Sequence, residues 1–328
     1  MTMDRRSFIG SLALAALSGS AGASDTDRLM PMLDSVETIA LWPGTPPGGK
    51  AAGPSWDVQE QSSDPNAFHD RLLTKISRPA LCRFPAASPD GSALLIVPGG
   101  GYRELWVDKE GFEPARRFNQ AGVTCFVLIH RLPREGWDNP TEAPIEDAQR
   151  AMRLIRANSG RYGLDPARVG VLGFSAGGHL AASLCARAGA SFYKTVDSSD
   201  TLSAKPSFAA LLYPVITMLA PYAHEASRET LLGERASRQL RESWSCERLV
   251  TRNAPPMFLA SAADDPDVAP ENTLEMLAAL HRAEVPAEMH LFERGSHGFG
   301  IRTGANEPVA VWPDLLLRWG VSHGIFRS

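Results

Sequence analysis

Along the chain, apolar positions change from scattered to periodic near residue 92. Before that point only two short apolar stretches, 36–41 and 79–84, read as strands, and residues 24–66 are broken by Pro, Gly and Ser. After it, short continuous apolar runs alternate with longer stretches at helical spacing. The runs "SALLIVPGGG", "VTCFVLIHRLP", "ARVGVLGFS", "FAALLYPV", "MFLASA" and "AEMHLFE" predict six strands. Between them, "EGFEPARRFNQAG", residues 143–162 and "AGGHLAASLCARA" predict helices. In 143–162, Ile145, Ala148, Met152 and Ile155 recur on one helical face. Further helices are predicted at 270–282 and 308–319. Strands without polar alternation are buried on both faces, so the pattern predicts an α/β fold: a mostly parallel, doubly wound sheet of about eight strands. A polar stretch at 216–253 interrupts the alternation and predicts one or two surface helices in a small cap insertion. The resulting division is an export signal at 1–23, an N-terminal arm with the first strands at 24–91, and the core at 92–328.

The first residues follow another pattern. Arg5-Arg6, an apolar run from Phe8 to Leu17 and then Ala21-Gly22-Ala23 have the layout of a secretory signal. The run is shorter than the roughly 20 residues a membrane span needs, so no membrane anchoring is expected after cleavage. Arg5-Arg6-Ser7-Phe8 further suggests the twin-arginine export machinery as a partner, and a periplasmic or secreted location. Cys82, Cys125, Cys185 and Cys246 show no metal-ligand spacing and read as buried thiols.

Composition adds little. The 328 residues are 44% hydrophobic and 21% charged, with a formal net charge of −4. That balance, without a basic stripe, gives no support for a nucleic-acid partner.

The chemistry concentrates where predicted strands end. Gly173-Phe174-Ser175-Ala176-Gly177 follows a strand and opens a helix, the context in which G-x-S-x-G lifts a serine hydroxyl out of a tight turn. A serine hydroxyl needs a base, and His297, in the Gly-flanked "ERGSHGFG", is the best placed. His130, His179 and His290 fall within or at the ends of regular elements. An orienting carboxylate is available among Asp264, Asp265 and Asp267, in the loop after the fifth strand of this series. The chain order Ser, Asp, His is one of three known for such triads. "VPGGGY" at 97–102 leaves the first core strand. Its main-chain N–H groups, with that of Ala176, can meet an oxyanion. The loop lacks the Lys-Ser/Thr of a phosphate-binding P-loop.

With these parts in order, the chain resembles the α/β-hydrolases of the esterase/lipase group, in particular the exported bacterial branch near feruloyl and acetyl xylan esterases. The phrases that carry the resemblance are "LWPGTPPG", "PGGGY", "HRLP", "EDAQRAMRLIRANSGRYGLDPARVGVLGFSAGGHLAA", "PPMFLASAADDPDVAPENT" and "LFERGSHGFG". The resemblance implies Ser175 as nucleophile, His297 as base and Asp265 as the third member, with Asp264 in reserve. It implies Gly100, Gly101 and Ala176 as the oxyanion hole. Pro98 stands where hormone-sensitive-lipase-like relatives have His, which fits a sugar esterase better than a lipase. Ala269 and Asp267 also depart from the usual pattern. The implied reaction is hydrolysis of short-chain, acetyl esters of a small molecule or oligosaccharide such as acetylated xylan, with no cofactor and no metal. Two other readings share the scaffold: a prolyl-oligopeptidase-like serine peptidase, for which the region before residue 92 is too short to hold a propeller, and a non-catalytic binding protein. Trp42, Trp56, Trp106 and Trp137, in loop-like stretches, are candidates for stacking on sugar rings or for packing the arm onto the body.

Overall fold

Five of the six apolar runs become strands that are closed off from water on both sides, while the sixth, Ala287–Phe292, lies at the sheet edge with no position fully buried. In the computed structural model, which describes residues 36–49 and 56–327, β5 (Ala93–Val97), β7 (Thr124–Ile129), β8 (Val169–Phe174), β9 (Ala209–Leu212) and β10 (Met257–Ala262) are buried at every position. Successive side chains alternate between two hydrophobic clusters. Leu95 and Val97 point into one, Leu94 and Ile96 into the other. With β1 (Glu37–Ala40), β4 (Ala80–Phe84) and β11 (Ala287–Phe292) they make an eight-stranded sheet in the order β1-β4-β7-β5-β8-β9-β10-β11. Pairing is antiparallel at β1/β4 and β4/β7 and parallel in every pair from β7 to β11. This is the α/β-hydrolase architecture.

Helices cover both faces. On one lie α2 (Ala143–Ala157), with Ile145, Ala148, Met152 and Ile155 all in the core, the short α3 (Ser159–Tyr162), α4 (Ser175–Arg187) and α7 (Glu271–Arg282). On the other lie α1 (Glu113–Asn119) and α8 (Trp312–Ser322), through Ala115, Phe118, Trp312, Leu316 and Trp319. Residues 216–253 hold α5 (Glu225–Leu232), α6 (Arg238–Ser243) and a 3-10 turn, Cys246–Arg248.

One feature departs from the sequence pattern. β2 (Asp57–Glu60), β3 (Arg71–Thr74) and β6 (Leu105–Trp106) form a second, three-stranded sheet. β2, "DVQE", is polar at three of its four positions and carries no apolar signal. Backbone pairing to β3 holds it. The four cysteines are buried free thiols. Among the described residues no helix is long and apolar enough to cross a membrane. The proposed export signal, 1–23, lies outside the described residues.

Candidate active site

In a parallel sheet, the carboxyl ends of the strands share one edge, and loops leaving that edge meet above it. The loops after β5, β8, β9, β10 and β11 bring Gly100, Ser175, Tyr213, Asp265 and His297 to that edge.

Ser175 sits between β8 and α4 with φ of +50°, a left-handed conformation that is strained for any residue but glycine. The turn is tight enough that a Cβ on Gly177 would lie 2.2 Å from the carbonyl oxygen of Val97 and 2.4 Å from that of Pro98. Glycine is therefore required there, and its absence of a side chain lets α4 begin directly against the loop after β5. The hydroxyl points outward, 2.9 Å from His297 Nε2. On the other side of the ring, Nδ1 donates to Asp265 Oδ2 at 2.8 Å. Asp265 is pinned as well: its Oδ1 accepts the N–H groups of Asp267 and Val268, both at 2.9 Å, and its side chain has no exposed surface. An aspartate at Nδ1 fixes the proton there, so Nε2 faces the serine hydroxyl as an acceptor.

The neighbouring aspartate does something else. Asp264 Oδ1 accepts the N–H groups of Gly295 and Ser296, at 2.9 and 2.8 Å. It clamps the loop that carries His297 but does not touch the ring. Asp267 is exposed.

The loop after β5 lies against Ser175: a Cβ on Gly99 would come within 2.9 Å of Ser175 Cβ. Gly100 has φ of +132°, and a Cβ on it would collide with the carbonyl oxygen of Glu104 at 2.1 Å, a backbone path only glycine can follow. Gly100 O accepts from the N–H groups of Arg103 and Glu104. The N–H groups of Gly100 and Gly101 donate to nothing among the described residues, and Ala176 N–H lies in the first turn of α4, which has no intrahelical acceptors. Three main-chain donors without partners among the described residues thus lie on the two turns that flank Ser175.

Two supporting residues were not evident from the sequence. Glu110, buried in the π-turn Asp108–Phe112 before α1, accepts the Gly99 N–H at 2.8 Å through Oε2 and the Tyr213 hydroxyl at 3.0 Å through Oε1. Tyr213 in turn accepts the Gly300 N–H, and its ring meets the His297 ring edge-on at 5.1 Å. One carboxylate therefore ties the glycine loop to the histidine loop. Burial, with the Glu110 charge next to it, pushes the Tyr213 hydroxyl far above its ordinary pKa, so it stays a donor. Tyr213 stands at the carboxyl end of β9, a position that marks it as part of the working edge. Nothing in "DKEGFEP" marks Glu110.

The other histidines are elsewhere. His179 points into the core, accepting from the Tyr102 hydroxyl at Nδ1 and donating from Nε2 to Trp244 O. Burial holds it neutral, with its pKa lowered to about 4. His130 Nδ1 donates to Arg131 O, and His290 pairs with Glu288. Of the tryptophans, Trp42 is buried, donates to Asp147 and meets Tyr193 edge-on, so it packs the arm onto the body. Trp56 donates to Arg78 O. Trp137 lies under the Arg131 guanidinium. Trp106 donates to Glu104 and carries Lys109 Nζ 4.2 Å over its ring.

The model of the BD-FAE family matches residues 85–280, a span that holds the glycine loop, Ser175 and Asp265. The chain belongs to the BD-FAE family. A crystal structure of an acetyl ester-xyloside bifunctional hydrolase from Caldicellulosiruptor lactoaceticus shares 32% identity. It superposes with a TM-score of 0.73 over 89% of this chain and 97% of that one. An acetylxylan esterase of Xylanibacter ruminicola is 30% identical over 227 residues, 68% of this chain and 44% of that protein. Endo-1,4-beta-xylanase B of Butyrivibrio fibrisolvens is 33% identical over 211 residues, 63% of this chain and 32% of that protein. The match thus spans a third to under a half of the length of these two curated relatives. The carboxylesterase Cest-2923 of Lactobacillus plantarum WCFS1, 23% identical with a TM-score of 0.62, shares the fold.

Proposed function

We propose that the chain is a serine carboxylesterase that removes short acyl groups, acetyl above all, from hydroxyls of plant cell-wall carbohydrate such as acetylated xylan. The observation that carries this reading is the unbroken relay from Ser175 Oγ to His297 to Asp265, at 2.9 and 2.8 Å, with the unpartnered N–H groups of Gly100, Gly101 and Ala176 on the turns beside it. His297 Nε2 takes the serine proton as Oγ attacks the ester carbonyl. The carbonyl oxygen, now negative, is held by those three donors, and Asp265 stabilises the imidazolium. His297 then protonates the leaving alcohol, an acyl-enzyme remains on Ser175, and water attacks it by the same route to release the acid. The names of the relatives, an acetylxylan esterase and an acetyl ester-xyloside hydrolase, support acetyl and xylan as the two halves of the substrate. Arg5-Arg6 and the apolar run after them support export through the twin-arginine machinery to the periplasm or beyond.

The test is a panel of p-nitrophenyl acetate, butyrate and octanoate with acetylated xylan and a peptide anilide. Turnover is expected to fall with chain length, acetate to be released from xylan, and the anilide to survive. Hydrolysis of the anilide would support the peptidase instead. Absence of turnover on every ester would support a binding protein.

A further inference from the structure

A second polar pair stands beside the oxyanion loop. His224 and Ser227 lie at the start of α5, with His224 Nδ1 2.7 Å from Ser227 Oγ. Ser227 is fully buried. Its Oγ lies 3.8 Å from the point a Cβ on Gly101 would occupy, and Arg103 Nε lies 3.7 Å from that same point. The charges acting on His224 belong to the active site. Burial lowers its pKa, His297 and Arg103 lower it further, and Asp267 and Asp265 oppose them. The pair is not there to cap the helix: His224 is the N-cap residue, yet its side chain bonds no backbone N–H of the first turn, as a capping side chain would. Arg103 is exposed and has no acidic partner among the described residues.

Resting on the esterase reading above, we propose that His224, with its ring held by Ser227, and Arg103 form the subsite for the alcohol half of the ester, and that the alcohol it takes is a polyhydroxylated ring, a sugar. A sugar hydroxyl both donates and accepts. Arg103 can only donate, and His224, with Nδ1 engaged by Ser227, keeps Nε2 for the substrate. A ring with adjacent hydroxyls satisfies all of these at once. A simple alkyl alcohol would strip water from them and give nothing back, and groups left unpaired in that way are what make a site reject the wrong substrate.

The experiment is steady-state kinetics on a monoacetylated methyl xyloside and on p-nitrophenyl acetate, for the full chain and for His224→Ala, His224→Gln and Arg103→Gln. The quantity read is the ratio of kcat/KM on the xyloside to that on the aryl ester. His224→Ala is expected to lower this ratio at least about tenfold, mainly through KM on the xyloside. His224→Gln, which keeps a hydrogen-bonding side chain, restores part of it. Arg103→Gln, an exposed change that leaves folding intact, moves the ratio the same way. A ratio unchanged in both His224→Ala and Arg103→Gln overturns the subsite. If the unaltered chain cleaves the aryl ester through Ser175 but no acetylated sugar, the subsite falls and the serine esterase stands. If it cleaves neither, the esterase reading falls and the subsite with it.

Discussion

Two buried polar regions of this molecule are built on opposite plans. Around Arg131 and Arg150 every charge is answered. The Arg131 side chain has no exposed surface; it bonds Glu146 Oε2 at 2.8 Å and both oxygens of Asp147, which also accepts from Trp42. Arg150 binds Asp197, Asp200 and the carbonyl of Leu41. These bonds fasten the segment around residues 41–47 and the turn at 197–200 to α2. At the carboxyl edge of the sheet the plan is reversed. Tyr102, Ser175, Tyr213 and Ser296 all have positive φ, and the N–H groups of Gly100 and Gly101 lack partners. A polar network with its bonds complete holds structure together. One with strain and vacant donors is arranged around a group still to come.

Substitutions can break that contrast from either side. The largest effect is expected at Ser175→Ala: turnover of p-nitrophenyl acetate should drop by about 10⁴-fold or more, while the thermal midpoint moves little, because alanine removes only the hydroxyl. Next comes the pair of aspartates. Asp265→Asn removes the acceptor that sets the histidine tautomer and should cost about 10⁴-fold in kcat. Asp264→Asn loosens only the loop and should cost far less, about tenfold. Equal losses would show that the two share one role. On the other side, Asp147→Ala takes the doubly bonded carboxylate from the buried Arg131 charge and leaves it Glu146 alone. It should destabilise the chain by about 3–5 kcal/mol in chemical denaturation, with kcat/KM of the folded fraction changed only a few-fold.

The smallest effect concerns pH. His179 is neutral in the fold down to about pH 4, against an ordinary value near 6.5. Between those values the unfolded chain binds the extra proton, so this residue's contribution is complete above pH 6.5 and is lost as pH falls toward 4. Stability measured for the unaltered chain and for His179→Gln should therefore converge across that window, by up to about 3 kcal/mol. A difference that stays constant with pH would mean that His179 titrates in the fold as it does in the unfolded chain.

The sequence carried the parts of this site that depend on chain direction. Gly-x-Ser-x-Gly between an apolar run and a helix, a glycine triplet after a strand, and Asp and His in loops after later strands are local signals, and the parallel sheet brings them to one edge. Asp264 and Asp265 look alike in sequence. Only the path of the loop decides which carboxylate meets the ring and which holds the backbone. Glu110 was illegible because its partners, Gly99 and Tyr213, are joined to it by folding and not by any spacing. The small sheet was missed for the same reason. β2 is held by backbone pairing to β3, and its polar side chains record nothing of that.

Everything proposed for this site depends on Ser175 being the nucleophile of an acyl-enzyme. An active-site phosphorylating agent such as paraoxon, followed by peptide mapping in a mass spectrometer, tests it directly. One phosphoryl group per chain is expected, on Ser175, with loss of esterase activity in step with labelling and much slower labelling of His297→Ala. A label on another residue that abolishes activity, or full activity in a chain labelled at Ser175, would contradict it.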